Sequence, residues 1–232
     1  MIYIRRDKLK FISMVCVLII SVSLIYRLLQ TDSLREADSV KLKFDHHKDD
    51  GPRAGKCGLS APCPGHDFAF KVSSGATSIV GPQICFEGKM IIKKKSRGNR
   101  QGISIVVINE KTGEHRKTGS FNMWNEDVRD LIAFLKSTED GSIVLMASFD
   151  VPATKLNEEA RRLNEEARTL ITELGSSYIS KVKFRDNWIF VGGKKTMIQA
   201  FFEQHLKNDR KTNKYESWPE MIEMEGCIPR LE

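Results

Sequence analysis

The chain has 232 residues, 41% of them hydrophobic and 29% charged, with 7 prolines and 16 glycines. That length suits one folded domain with extensions, and the composition excludes collagen-like, low-complexity and wholesale disordered chains. Part of the formal charge of +7 sits at the very start, where Arg5, Arg6, Lys8 and Lys10 face Asp7 alone. The remainder is ordinary for a folded domain and gives no case for nucleic acid.

Residues 11–26, FISMVCVLIISVSLIY, carry no charge and are closed by Arg27. A spanning helix wants about 20 apolar residues, so this short run behind a basic start reads as a secretory signal peptide over residues 1–23. Ser21-Val22-Ser23 offers the small-x-small cleavage site. The alternative is an uncleaved signal-anchor over residues 11–29, its basic end in the cytosol. Either reading puts the folded part outside the cytosol, with no stable membrane insertion once the signal is cleaved. Residues 30–56 are rich in Asp, Ser, Lys and Arg and read as a flexible linker. His46-His47 beside Asp45, Asp49 and Asp50 belong to that tether; nothing holds them as a metal site.

Of five cysteines, Cys16 lies in the apolar run. Cys57, Cys63, Cys85 and Cys227 form an even set in an oxidising compartment, which argues for two disulfides with three possible pairings. No Cys-x-x-Cys occurs and the five histidines are scattered, so neither zinc nor another cofactor is expected. Cys227 lies near the chain end, so its bridge closes a long loop, worth at most about 4–5 kcal/mol in the chain-entropy model.

Between the cysteines strands predominate. Residues 68–72 alternate briefly; residues 103–108 are a β-branched run, followed by a turn over 109–113 and a returning strand towards Trp124. Residues 142–149, SIVLMASF, suit a central buried strand. Trp188 to Val191 form another, ended by Gly192-Gly193. Helical period appears over residues 126–136, with Val128, Leu131, Ile132 and Leu135 on one face, and over 154–174, where Gly175 suits a C′ position. Residues 201–207 read as a third, short helix. This interspersion without regular βαβ spacing predicts an α+β sandwich. Residues 156–162, LNEEARR, are nearly copied by 163–169, LNEEART. Two inserted helical turns rotate the rest of the helix by only about 20°, giving a longer surface helix and no new chemistry.

Gly192-Gly193-Lys194-Lys195-Thr196 fails as a phosphate loop on two counts: Trp188 stands where the first glycine is needed, five residues before Gly193, and Lys195 where Ser or Thr is needed. No Gly-x-Ser-x-Gly elbow, dinucleotide fingerprint or Asn-x-Ser/Thr sequon is present. No nucleophile–base set is visible, so no enzyme is expected. The basic run at residues 93–97 reads as a solvated loop, with an anionic glycan as the other use of such charge. Phe184-Arg185-Asp186-Asn187-Trp188 is the most suggestive stretch. Guanidinium and carboxylate can pair with sugar hydroxyls while a ring packs on an apolar sugar face. The structural alternative is an ion pair near a sheet edge and a core tryptophan.

The strings Lys56-Cys57-Gly58, Pro62-Cys63-Pro64, Ile84-Cys85-Phe86-Glu87, Phe184 to Trp188, Phe202-Glu203-Gln204-His205, Asn213-Lys214-Tyr215-Glu216 and Met224-Glu225-Gly226-Cys227-Ile228-Pro229 resemble one family throughout. It is the secreted cytokine-like family of pancreatic-derived factor and the interleukin-like EMT inducer, and the likeness is nearest the EMT-inducer branch. The family domain is of the GG lectin type, similar to the stem domain of a protein O-mannose N-acetylglucosaminyltransferase that holds β-linked N-acetylglucosamine. The resemblance implies two antiparallel sheets flanked by short helices, with Cys57–Cys85 and Cys63–Cys227 bridges. At the three charged positions of the sugar-binding stem domain this chain has Gln101, Asn122 and Arg185. The family's Tyr-Asp-Asp becomes Phe149-Asp150-Val151. Val191 stands where the EMT inducer has an extra cysteine, so no covalent dimer is implied.

The sequence therefore reads as a secreted, non-catalytic, cytokine-like signalling protein. Its lectin-like domain spans residues 57–232, with a core at about 66–231. It is expected to be monomeric and to bind a cell-surface receptor or glycan, with Gln101, Asn122, Arg185, Asp186 and Trp188 as the sugar-binding candidates. The alternative is a Golgi-retained, signal-anchored carbohydrate-binding accessory protein.

Overall fold

The β-branched run at residues 103–108 forms the second strand of a five-stranded antiparallel sheet. The computed structural model describes residues 55–93, 102–123, 127–150, 158–196 and 202–230, and of residues 158–163 the backbone alone. The apolar run with Cys16, the linker to residue 54, residues 94–97 of the basic run, Gln101, Trp124, Val151 and the first two residues of the repeat lie outside the described residues.

In chain order the strands are β1 (Phe68–Ser73), β2 (Gln83–Phe86), β3 (Lys89–Ile92), β4 (Gly102–Asn109), β5 (His115–Asn122), β6 (Ser142–Phe149), β7 (Asn187–Lys194), β8 (Phe202–Leu206) and β9 (Glu223–Ile228). The helices are α1 (Val128–Lys136) and α2 (Glu158–Glu173). One sheet has the order β3-β2-β1-β9 and the other β5-β4-β6-β7-β8, with every pairing antiparallel.

The two-residue period of the central strands divides the core in two. Val106, Ile108, Ile143, Leu145, Ile189 and Val191 face the four-stranded sheet and pack on Phe68, Phe70, Ile84 and Phe86. Ile105, Val107, Val144, Met146, Trp188 and Phe190 face the other way, onto Leu131, Leu135, Ile171 and Leu174 of the helical layer. The five-stranded sheet is thus covered on both faces, which is why β6 reads as an almost unbroken apolar run. The helices share one side of the sandwich.

Helix α1 begins where Asp127 takes the Arg129 backbone N–H at 2.9 Å, and it buries Val128, Leu131, Ile132 and Leu135. Its C-terminal carbonyls are met by ammonium groups: Lys117 donates to Phe134 O at 2.8 Å and Lys194 to Thr138 O at 2.6 Å. Helix α2 ends at Glu173, and Gly175 just beyond it has φ +107°.

Two sequence expectations are corrected. Residues 202–206 are strand β8, not a helix: Phe202 pairs with Val191 and His205 with Trp188. Short segments of mixed polarity carry no decisive period, and the open edge of β7 takes this one as a partner. Nor do Gly192-Gly193 end β7, which runs on to Lys194. There the end of α2 comes down on the strand: Gly193 N–H donates to Leu174 O at 3.1 Å, and a Cβ on Gly192 would lie 2.4 Å from that oxygen. The glycine pair admits a helix end rather than a phosphate.

Cys57–Cys85 and Cys63–Cys227 fasten the segment preceding β1 to β2 on one side and to β9 on the other. Sequence separations of 28 and 164 correspond to at most about 3.5 and 5 kcal/mol of loop-closure stabilisation. Val191 is buried between the sheets.

Candidate functional site

A tight turn enters β7. Asp186 Oδ2 accepts from Lys183 N at 2.9 Å and holds Arg185 in the left-handed region, at φ +62°. An arginine adopts that conformation at a cost, and the bonds around it keep it there. Asp186 is buried; it also accepts from Asn208 N at 2.8 Å and pairs with His205 Nε2 at 2.7 Å. Asn208 Nδ2 bonds Phe184 O at 3.3 Å, and Asn187 Nδ2 bonds Glu220 O at 2.6 Å. One carboxylate and two amides therefore stitch the turn to the segment between β8 and β9.

Through that stitching Trp218 reaches Arg185. Tyr215 and Trp218 form a bridge, each backbone N–H donating to the other's carbonyl at 3.1 and 3.0 Å. The guanidinium carbon lies 4.2 Å from the Trp218 ring centre and 5.0 Å from that of Phe184. Beneath them sits Asp150, buried, its Oδ1 accepting from Trp218 Nε1 at 2.7 Å. Arg185 Nε stands 3.8 Å from the same oxygen, beyond hydrogen-bond reach, and this buried nitrogen has no hydrogen-bond partner among the described residues.

The sheet register brings the other candidates to the same end. Gly102 lies opposite Asn122 on one side and Phe149 on the other, so Asn122, Asp150 and the turn before β7 share the end of the five-stranded sheet where β4 starts. Gln101 precedes that glycine and lies outside the described residues. Trp188 is fully buried: its indole stacks on Phe190 at 5.8 Å and 7°, and Nε1 donates to Glu203 Oε1 at 2.7 Å. Glu203 also bonds the Ser176 hydroxyl and takes the backbone N–H of Ser177 at 2.7 Å. Asp186 and Trp188 thus stand under the site, whereas Arg185, 28% exposed, and Phe184, 46% exposed, reach its surface.

Sequence reasoning missed Trp218. No local pattern marks it, because its role depends on a loop that returns to Arg185 from well beyond β8. Chemically the cluster presents donors and aromatic faces to an acceptor-bearing ligand. Among the described residues no group of His, Cys, Asp and Glu is placed to hold a metal.

The family model described as interleukin-like EMT inducer matches residues 101–196, which include Arg185 and the whole of β7. The chain is 56% identical over 178 residues to Protein FAM3C of Danio rerio, covering 77% of this chain and 75% of that one. It is 50% identical over 175 residues to Protein FAM3C of Homo sapiens, covering 75% and 74%. With Protein FAM3A of Homo sapiens the figures are 46% over 181 residues, covering 77% and 76%. The chain belongs to the FAM3 family, with its interleukin-like EMT inducer domain.

Proposed function

We propose that this is a secreted, cytokine-like signalling protein that acts by binding, not turnover. The binding surface is the Arg185 end of the five-stranded sheet, and the ligand is a cell-surface receptor or glycan. The observation that carries the site is the state of Arg185. It is held between Trp218 and Phe184 on a strained turn, with a buried N–H that no described group accepts. Such preorganisation lowers the ordering cost of binding. Asn122 extends the site along the sheet end, while Asp186 and Trp188 keep it in place; Gln101 joins it through the family resemblance alone. The family description, interleukin-like, supports an extracellular signalling role, and the basic start with its short apolar run supports export.

The test is expression of the full chain in mammalian cells. The expected result is a processed form in the medium, its new N-terminus near residue 24, that binds cells saturably. Trp218→Ala should weaken that binding at least tenfold while thermal melting stays cooperative. Retention of the whole chain in Golgi membranes would favour the signal-anchored accessory protein instead. Undiminished binding by the variant would remove the site.

A further inference from the structure

We infer that the ligand of the Arg185 site is an acidic glycan, bound through a sugar carboxylate. This rests on the proposed binding role of that site and specifies its chemistry.

A guanidinium offers a planar fork of N–H donors that matches a carboxylate in two parallel bonds, whereas a hydroxyl takes only one. Arg185 offers that fork already aimed. Its turn is fixed by three bonds to Asp186, and its plane is held against Trp218 at 4.2 Å. Asp150 Oδ1 accepts from the indole N–H and stands 3.8 Å from Nε, so this ion pair takes no hydrogen bond from that nitrogen. Phe184, beside the guanidinium and 46% exposed, offers part of an aromatic ring to the apolar face of a sugar.

The surrounding charge selects an anion. Lys181 and Lys183 lie just before the turn, and Lys207, Arg210, Lys211 and Lys214 lie on the segment stitched to it through Asn208. All six are exposed; Asp209 lies among them, Glu216 follows, and Lys214 pairs with Glu220 at 3.7 Å, which still leaves cations in excess. Asp150 adds a buried negative charge beneath the site. It offsets the charge of Arg185, so the excess of exposed cations on the flanking segments sets the sign at the surface. Uronic and sialic acids share the carboxylate and differ in what surrounds it.

The experiment measures binding of the secreted protein to three defined probes. They are hyaluronan octasaccharide, its carboxyl-reduced counterpart, and a sialylated trisaccharide; the neutral chitin trisaccharide serves as control. Hyaluronan or the sialylated probe should bind at least tenfold tighter than the reduced and neutral sugars, and which one wins identifies the acid. Arg185→Lys, which keeps the charge and loses the fork, should remove most of that preference. Arg210→Glu with Lys211→Glu, on exposed positions that leave the fold untouched, should weaken the acidic probe and make its loss with salt shallower. Equal binding of reduced and carboxylated hyaluronan, or preference for chitin, overturns the carboxylate assignment while leaving the site. Cell binding that depends on Trp218 with none of the sugars bound also overturns it, and makes the ligand a protein receptor. Cell binding independent of Trp218 removes the site itself.

Discussion

Trp188 Nε1 donates to Glu203 Oε1 at 2.7 Å across the β7–β8 pairing. Because Glu203 also gathers the hydroxyls of Ser176 and Ser177 and the backbone N–H groups just beyond α2, one carboxylate joins the core tryptophan to the end of a helix. Replacing it leaves a buried indole N–H and several loop donors unsatisfied. We expect Glu203→Ala to lose about 2–4 kcal/mol in urea unfolding, and Glu203→Gln a smaller amount. A loss below about 0.5 kcal/mol would mean water replaces the carboxylate fully.

The close approach of α2 to β7 makes Gly192 a steric requirement. A Cβ there would meet Leu174 O at 2.4 Å and the Phe190 ring at 2.2 Å. Gly192→Ala should therefore cost about 1–3 kcal/mol. Gly193→Ala should cost less, since its obstacle is the Thr196 side chain, at 2.4 Å, rather than backbone. Chemical denaturation of the two variants side by side checks the order.

Two lysines give opposite alkaline slopes. The hydrogen bond to Glu223 raises the Lys71 pKa, helped by Glu225 and resisted by burial. Its stabilisation is complete below the ordinary lysine value of 10.5 and is lost as pH rises through the higher folded value. Burial lowers the Lys117 pKa, with Lys194 adding repulsion. The folded protein then binds the proton less well than the unfolded chain, so wild type gains stability as pH rises towards 10.5. Accordingly, the deficit of Lys71→Gln, up to about 1 kcal/mol for such partly exposed pairs, should shrink only above pH 10.5. The stability of wild type relative to Lys117→Met should increase between neutral pH and about 10. Unfolding curves across that range read both.

The family resemblance places Val191 where a cysteine would allow a covalent dimer. Val191 is 1% exposed, facing the four-stranded sheet beside Phe202. Since the four cysteines of the domain are paired, wild type should run as a monomer on non-reducing gels. A thiol in Val191→Cys would be shielded until the β7–β8 edge opens. Its reducible dimer should form slowly in buffer and markedly faster in urea near the start of unfolding. Fast dimerisation without denaturant would show that the edge opens readily.

Much of the sandwich was legible in the chain itself. The β-branched runs of β4 and β6 and the one-sided apolar period of α1 are local patterns that burial imposes on sequence. The even set of cysteines likewise announced two bridges, but their pairing came from the family likeness and not from spacing. What the chain could not show was long-range partnership. Residues 202–206 became a strand because β7 had a free edge, and Gly192-Gly193 stayed inside a strand because a helix end needed room. Arg185 was visible as a candidate, whereas Trp218, Asp150 and the Asn208 stitching around it come from distant positions. Periodicity records which face of an element is buried; only the tertiary structure decides which neighbour buries it and which donors remain unmatched.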